Sequence, residues 1–104
     1  SLERRKALLA LAEKYSLPIL EDNPYGDLRY EGETVPTLKS MDTQGLVVYM
    51  GSFSKVLSPG IRLGWLVAAP ELLAKFNTAK QGADLQASTI MHRYTRKERT
   101  ANWV

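Results

Sequence analysis

Four side chains in the stretch "GSFSKVLSPGIRLGW", residues 51–65, carry groups that together can do chemistry. Lys55 brings a primary amine, Ser52 and Ser54 place hydroxyls on either side of Phe53, and Arg62 follows downstream. An ordinary lysine amine, with a pKa of about 10.4, is protonated and not nucleophilic at neutral pH. Desolvation and a nearby cation favour the free base, which attacks an aldehyde to form an imine. Arg62 is one such cation, and its planar guanidinium together with two short hydroxyl donors also suits a phosphate dianion. The stretch thus offers an imine-forming amine beside an anion cradle.

Pyridoxal phosphate carries both an aldehyde and a phosphate, and it makes further demands on a protein. Its ring nitrogen must stay protonated for the ring to accept electrons, which requires a carboxylate close by. Asp22 is the candidate, and the hydroxyl of Tyr25 is a candidate donor to the phenolate oxygen of the ring. Pro24 and Gly26 would shape a turn that aims Tyr25 back toward the site. Each residue also has a plain reading. A lone loop lysine is usually solvated, Asp22 beside Glu21 makes an ordinary acidic pair, and Tyr25 could be a core aromatic. The combination at this spacing favours the functional reading. "SFSK" also fits the S-x-x-K of serine β-lactamases, but that motif opens a helix and comes with S-D-N and K-T-G, both missing here.

These side chains need a scaffold. Leu8, Leu11, Ala12 and Tyr15 recur at helical spacing, with Arg4, Arg5, Glu13 and Lys14 opposite, so an amphipathic helix is expected, with Ser1 as N-cap and Glu3 in its first turn. Pro18 stops it, and "PILED" reads as a buried strand of Ile19 and Leu20 that delivers Glu21 and Asp22 at its carboxyl end. From Asn23 to Gly45 the chain is broken by Pro24, Gly26, Gly32, Pro36 and Gly45, a long connection that is usually functional or disordered. "LVVYM", residues 46–50, reads as a second buried strand, and "RLGWLVAA" as a third. Residues 51–61 between them show no helical pattern and are too few for a parallel return, so the third strand should run antiparallel to the second. Pro70 and Glu71 should open a helix that buries Leu72, Phe76, Ala79 and Ala83. Tyr49 and Trp65 read as core, while Lys80, Gln81 and Asp84 read as a solvated helix face.

"EDNPY", followed some thirty residues later by "SFSKVLSPGIRLGW", resembles the fold-type I pyridoxal-phosphate aminotransferases of class I/II, the branch with 2-aminoadipate and aromatic aminotransferases. The resemblance covers about residues 1–88 and rests on specific motifs. It implies part of a three-layer α/β large domain with a mixed, mostly parallel sheet. It implies Lys55 as the Schiff-base lysine and proton carrier, Asp22 on the pyridine nitrogen, Tyr25 on the phenolate oxygen, and Ser52, Ser54 and Arg62 on the phosphate. The implied reaction moves an amino group between an amino acid and a 2-oxoacid. The implied enzyme is a cytoplasmic homodimer. Two other outcomes share such a core: a β-lyase, or the effector-sensing part of a helix-turn-helix transcription regulator. The family's glycine-rich phosphate turn, ring-stacking aromatic, phenolate asparagine and carboxylate-binding arginine have no match between Ser1 and Val104.

Bulk properties fit one domain at most. The 104 residues are 44% hydrophobic and 24% charged, with no cysteine and one histidine, His92. A disulfide scaffold and thiolate metal sites are excluded, and a membrane span and a secretory leader are not expected. The net charge of +3 lies in residues 92–104, where Arg93, Arg96, Lys97 and Arg99 face only Glu98. One basic end on a neutral body is weak support for nucleic-acid binding, and none is expected. The pattern after Ser88 departs from the family, so residues 89–104 are expected to be an atypical tail, truncated or disordered. A start at Ser1 inside a helical pattern suggests an incomplete chain, inactive by itself.

Overall fold

A computed structural model of the chain describes residues 1–84, 86–91 and 93. Helix α1 (Leu2–Tyr15) opens the chain with Glu3 in its first turn and closes on Ser16 in the left-handed region (φ 52°, ψ 40°), whose N–H reaches Ala12 and Glu13 carbonyls. Ser1 occupies the N-cap but makes no side-chain cap bond. The buried face is not the expected one. Leu9 and Ala12 are buried, whereas Leu8, Leu11 and Tyr15 remain half exposed. The helix is rotated because Arg5, expected on the outer face, turns inward instead. It donates from Nη1 to the Pro36 carbonyl at 2.6 Å and lies 3.6 Å from the Glu21 carboxylate. Arg5, Leu9 and Ala12 therefore share the inner stripe at i, i+4 and i+7.

Strand β1 (Ile19–Asp22) follows, alternating half-buried and exposed residues. Leu20, expected inside, is 59% exposed, because alternation turns it to the face opposite Ile19. The long connection after it is ordered by helix α2 (Leu38–Met41), which the sequence reading did not anticipate. Thr37 caps this helix by accepting from the Ser40 N–H at 3.1 Å. The Glu21 carboxylate receives the N–H groups of Leu38 and Lys39, each at 2.9 Å. A carboxylate there satisfies two donors that a helix start leaves unpaired.

Strand β2 (Val47–Ser52) pairs parallel with β1, Ile19 opposite Val47 and Asp22 opposite Met50. Strand β3 (Gly64–Val67) pairs antiparallel with β2, as expected, in the sheet order β1-β2-β3. The link between them contains one turn of helix, α3 (Phe53–Val56), and a 3₁₀ turn at Pro59–Ile61, where no helical pattern was legible. Helix α4 (Pro70–Ala83) begins with Pro70 in its first turn, as expected. None of its residues is buried. Leu72 is half-buried, while Phe76, Ala79 and Ala83, expected inside, are exposed because no described element covers that side. Leu9, Leu38 and Val47 form the core, with Ile19 and Met41 packed against it. His92, Tyr94 and the basic tail apart from Arg93 lie outside the described residues.

Asp42 secures the entry to β2. Its carboxylate accepts from the N–H groups of Gln44, Leu46 and Val47 at 3.2, 3.1 and 2.9 Å and pairs with the Lys39 ammonium at 3.0 Å. Its side chain is 2% exposed. Burial works against the charge, but the Val47 N–H, Lys39 and the Leu46 N–H together outweigh it and hold the carboxyl below its ordinary value of 3.8. A depressed folded pKa stabilises the fold above the unfolded value and is lost as pH falls through the folded one. Asp42→Asn is expected to lower unfolding stability near neutral pH by about 1–3 kcal/mol. Urea titrations of parent and variant should converge as the pH drops below 3.8. A gap that stays constant into acid would show that the Asp42 charge contributes nothing.

Candidate functional site

The parallel strands β1 and β2 release the chain at the same edge of the sheet, where open α/β sheets receive ligands. The pairings Leu20–Val48, Asp22–Met50, Met50–Leu66 and Ser52–Gly64 put those side chains on one face. Glu21, Tyr49, Gly51 and Trp65 belong to the other. Asp22 and Ser52 thus share a face and an edge, while Glu21 points back to α1 and α2. The two neighbouring carboxylates are separated by the pleat alone.

Ser52 ends β2 and caps α3: its Oγ accepts from the Ser54 N–H at 3.1 Å. The Ser52 hydroxyl hydrogen is left to donate outward. Lys55 lies in that single turn, and its Nζ stands 5.5 Å from the centroid of the Tyr25 ring, a cation–π contact. Tyr25 sits in the turn that follows β1, closed by the Leu28 N–H on the Tyr25 carbonyl at 3.0 Å. Arg62 follows the 3₁₀ turn in a left-handed conformation (φ 53°, ψ 39°) that side-chain-bearing residues adopt rarely. Its neighbour Leu63 accepts from the Phe53 N–H at 3.0 Å, which ties Arg62 to the start of α3. Among the described residues, neither Asp22 nor Arg62 forms a side-chain hydrogen bond or ion pair. Both charges are available to a ligand.

The structure therefore brings Tyr25 to Lys55 by direct contact, Ser54 to Ser52 by a hydrogen bond, and Asp22 to Ser52 by register; Arg62 joins through the backbone beside α3. Four residues contribute in roles that the sequence did not reveal. Glu21 clamps α2, Asn23 donates from Nδ2 to the Tyr49 hydroxyl at 3.2 Å, Tyr49 receives that bond, and Gly51 makes room for Trp65. A Cβ on Gly51 would fall inside the Trp65 ring, which also packs against Phe53 at 4.8 Å and 57°. Trp65, expected as plain core, is half-buried and lies against the residue that opens α3. A glycine at a strand end is the signal that could have revealed this close approach.

One parallel and one antiparallel strand pairing, with helices between and around the strands, make this a segment of a mixed α/β fold. The chain belongs to the family "Aminotransferase class I and II", whose model matches residues 1–96. It is 52% identical over 88 residues to aromatic-amino-acid aminotransferase 1 of Thermococcus litoralis, covering 85% of this chain and 21% of that protein. A helix-turn-helix type transcriptional regulator of Bacillus subtilis is 40% identical over 90 residues, covering 86% and 19%. Among solved structures, the α-aminoadipate aminotransferase of Thermus thermophilus superposes with a TM-score of 0.90 at 36% identity, over 97% of this chain and 27% of that one. The chain thus spans about a fifth of the length of the curated relatives it matches.

Gly51→Ala is expected to destabilise the protein by about 1–3 kcal/mol, because the methyl displaces Trp65 and with it Phe53 at the start of α3. Combined with Trp65→Leu it should cost less than the sum of the single changes by about 1 kcal/mol or more. Strictly additive losses in denaturant titrations would mean that the two residues do not meet.

Proposed function

We propose that this chain is the cofactor-binding part of a pyridoxal-phosphate aminotransferase that transfers an amino group between an amino acid and a 2-oxoacid. The observation that carries it is the approach of Lys55 to Tyr25 at the edge where β1 and β2 also present Asp22 and Ser52 on one face. The donor set suits the cofactor: an amine for an aldehyde, an unpaired carboxylate for a pyridinium, and a hydroxyl with an unpaired guanidinium for a phosphate. When bound, pyridoxal phosphate supplies the electron sink that makes a substrate α-proton acidic.

The remaining work falls to the chain itself. The Lys55 amine would be the group that holds the cofactor covalently through its aldehyde and, when free of it, would take a proton from the substrate α-carbon as base and return one as acid. The Asp22 carboxylate keeps a proton on the ring nitrogen. The Tyr25 hydroxyl donates to the phenolate oxygen. Ser52, Arg62 and the Ser54 hydroxyl hold the phosphate, with Arg62 offering the bidentate fork. The relatives named as aminotransferases of aromatic amino acids and of α-aminoadipate support an amino-acid and oxoacid pair. We read the working enzyme as a homodimer of the cytoplasm; a chain with no cysteine suits a reducing compartment.

A second reading has support from the regulator at 40% identity: a sensing domain with the same cofactor and no turnover. One experiment separates them. The full-length protein, supplied with pyridoxal phosphate, should show a visible absorbance band and convert amino acid plus oxoacid to the exchanged pair. Lys55→Ala should remove the band and slow transfer by about 10²–10⁴-fold. A band without transfer in the parent would favour the sensor; transfer at the parent rate by the alanine variant would overturn the role of Lys55.

A further inference from the structure

Asn23 stands between the strand that carries Asp22 and the turn that carries Tyr25. Its backbone N–H continues the ladder onto the Met50 carbonyl at 3.0 Å, and its Nδ2 donates to the Tyr49 hydroxyl at 3.2 Å. Both ties lead to β2, the strand that ends at Ser52 and passes directly into α3 with Lys55. On its other side the Asn23 amide packs under Gly26, where a Cβ would collide with it. Tyr25 lies between these two contacts, and its ring takes the Lys55 ammonium. Asn23 is thus a strut. One end is bonded to β2, the other supports the turn, and the Tyr25–Lys55 contact spans the gap between turn and α3.

We infer that Asn23, acting through the Tyr49 hydroxyl, is a positioning residue that fixes the Tyr25 ring against Lys55. The inference deepens the proposed function and rests on it for its meaning in catalysis, but its geometry exists without the cofactor. The physical basis is local. Tyr25 is 61% exposed, so burial alone does not hold the ring in place. A hydrogen bond between half-buried partners, one just past the end of β1 and one on β2, supplies the missing restraint. The ring covers one side of the Lys55 Nζ, so loosening it should open that amine to a modifying reagent.

The test is competitive acetylation of the full-length, cofactor-free protein, read residue by residue by mass spectrometry. Lys14 serves as internal reference, since its Nζ lies 5.2 Å from the Tyr15 ring on α1, away from the site. Tyr49→Phe removes only the acceptor hydroxyl, and Asn23→Ala removes the donor. Each is expected to raise the labelling of Lys55 relative to Lys14 by roughly two- to fivefold. Tyr25→Leu should produce the same rise, and adding Tyr49→Phe to it should produce none beyond that. Parent-like labelling in both single variants would overturn the inference. So would a parallel rise at Lys14, which would indicate general loosening, or a response to Asn23→Ala that Tyr49→Phe does not share. Because no cofactor is present, these outcomes are independent of whether the parent later develops a visible band with pyridoxal phosphate, which tests the proposed function separately.

Discussion

Everything at this site depends on two short strands leaving the sheet side by side in the same direction. The parallel register from Ile19–Val47 to Asp22–Met50 fixes where each chain exits, and a slip of one residue would turn Asp22 to the face now held by Glu21. Val47, with no exposed surface, and Leu9 and Leu38 beside it bury the inner face and so make that slip unfavourable. The core is small, but it acts on the one variable that matters to the site.

Three carboxylates show how environment divides labour within one residue class. Asp42 is enclosed and fully bonded, and its charge holds the entry to β2. Glu21, with a side chain 11% exposed, spends both oxygens on the start of α2. Asp22, exposed at the strand end, has no partner among the described residues. A charge with every lone pair occupied stabilises a fold; one left open at a ligand-binding edge is available for recognition. The same contrast holds for the cations, since Lys39 is committed to Asp42 whereas Arg62 has no such commitment.

Much of this was legible in the sequence, and the gaps have physical causes. Helix α1, the three strands, the antiparallel turn of β3 and the proline start of α4 followed from apolar spacing and from a link too short for a crossover. The inner stripe of α1 was misjudged because Arg5 has acceptors at Glu21 and Pro36 that no periodicity reveals. Helix α2 was missed because four residues carry no period, and its stability comes from Glu21, seventeen positions away in the chain. The candidate groups Lys55, Asp22, Tyr25, Ser52, Ser54 and Arg62 were identifiable by chemical type. The side chains that hold them, Asn23, Tyr49 and Gly51, were not, because their roles consist only of contacts between strands.

The most direct measurement concerns where the cofactor bonds. The full-length protein would be loaded with pyridoxal phosphate, reduced with borohydride to make the link permanent, digested, and mapped by mass spectrometry. The pyridoxyl mass should fall on the peptide containing Lys55 and on no other lysine. A tag on Lys39 or Lys80, or none at all, would contradict the account.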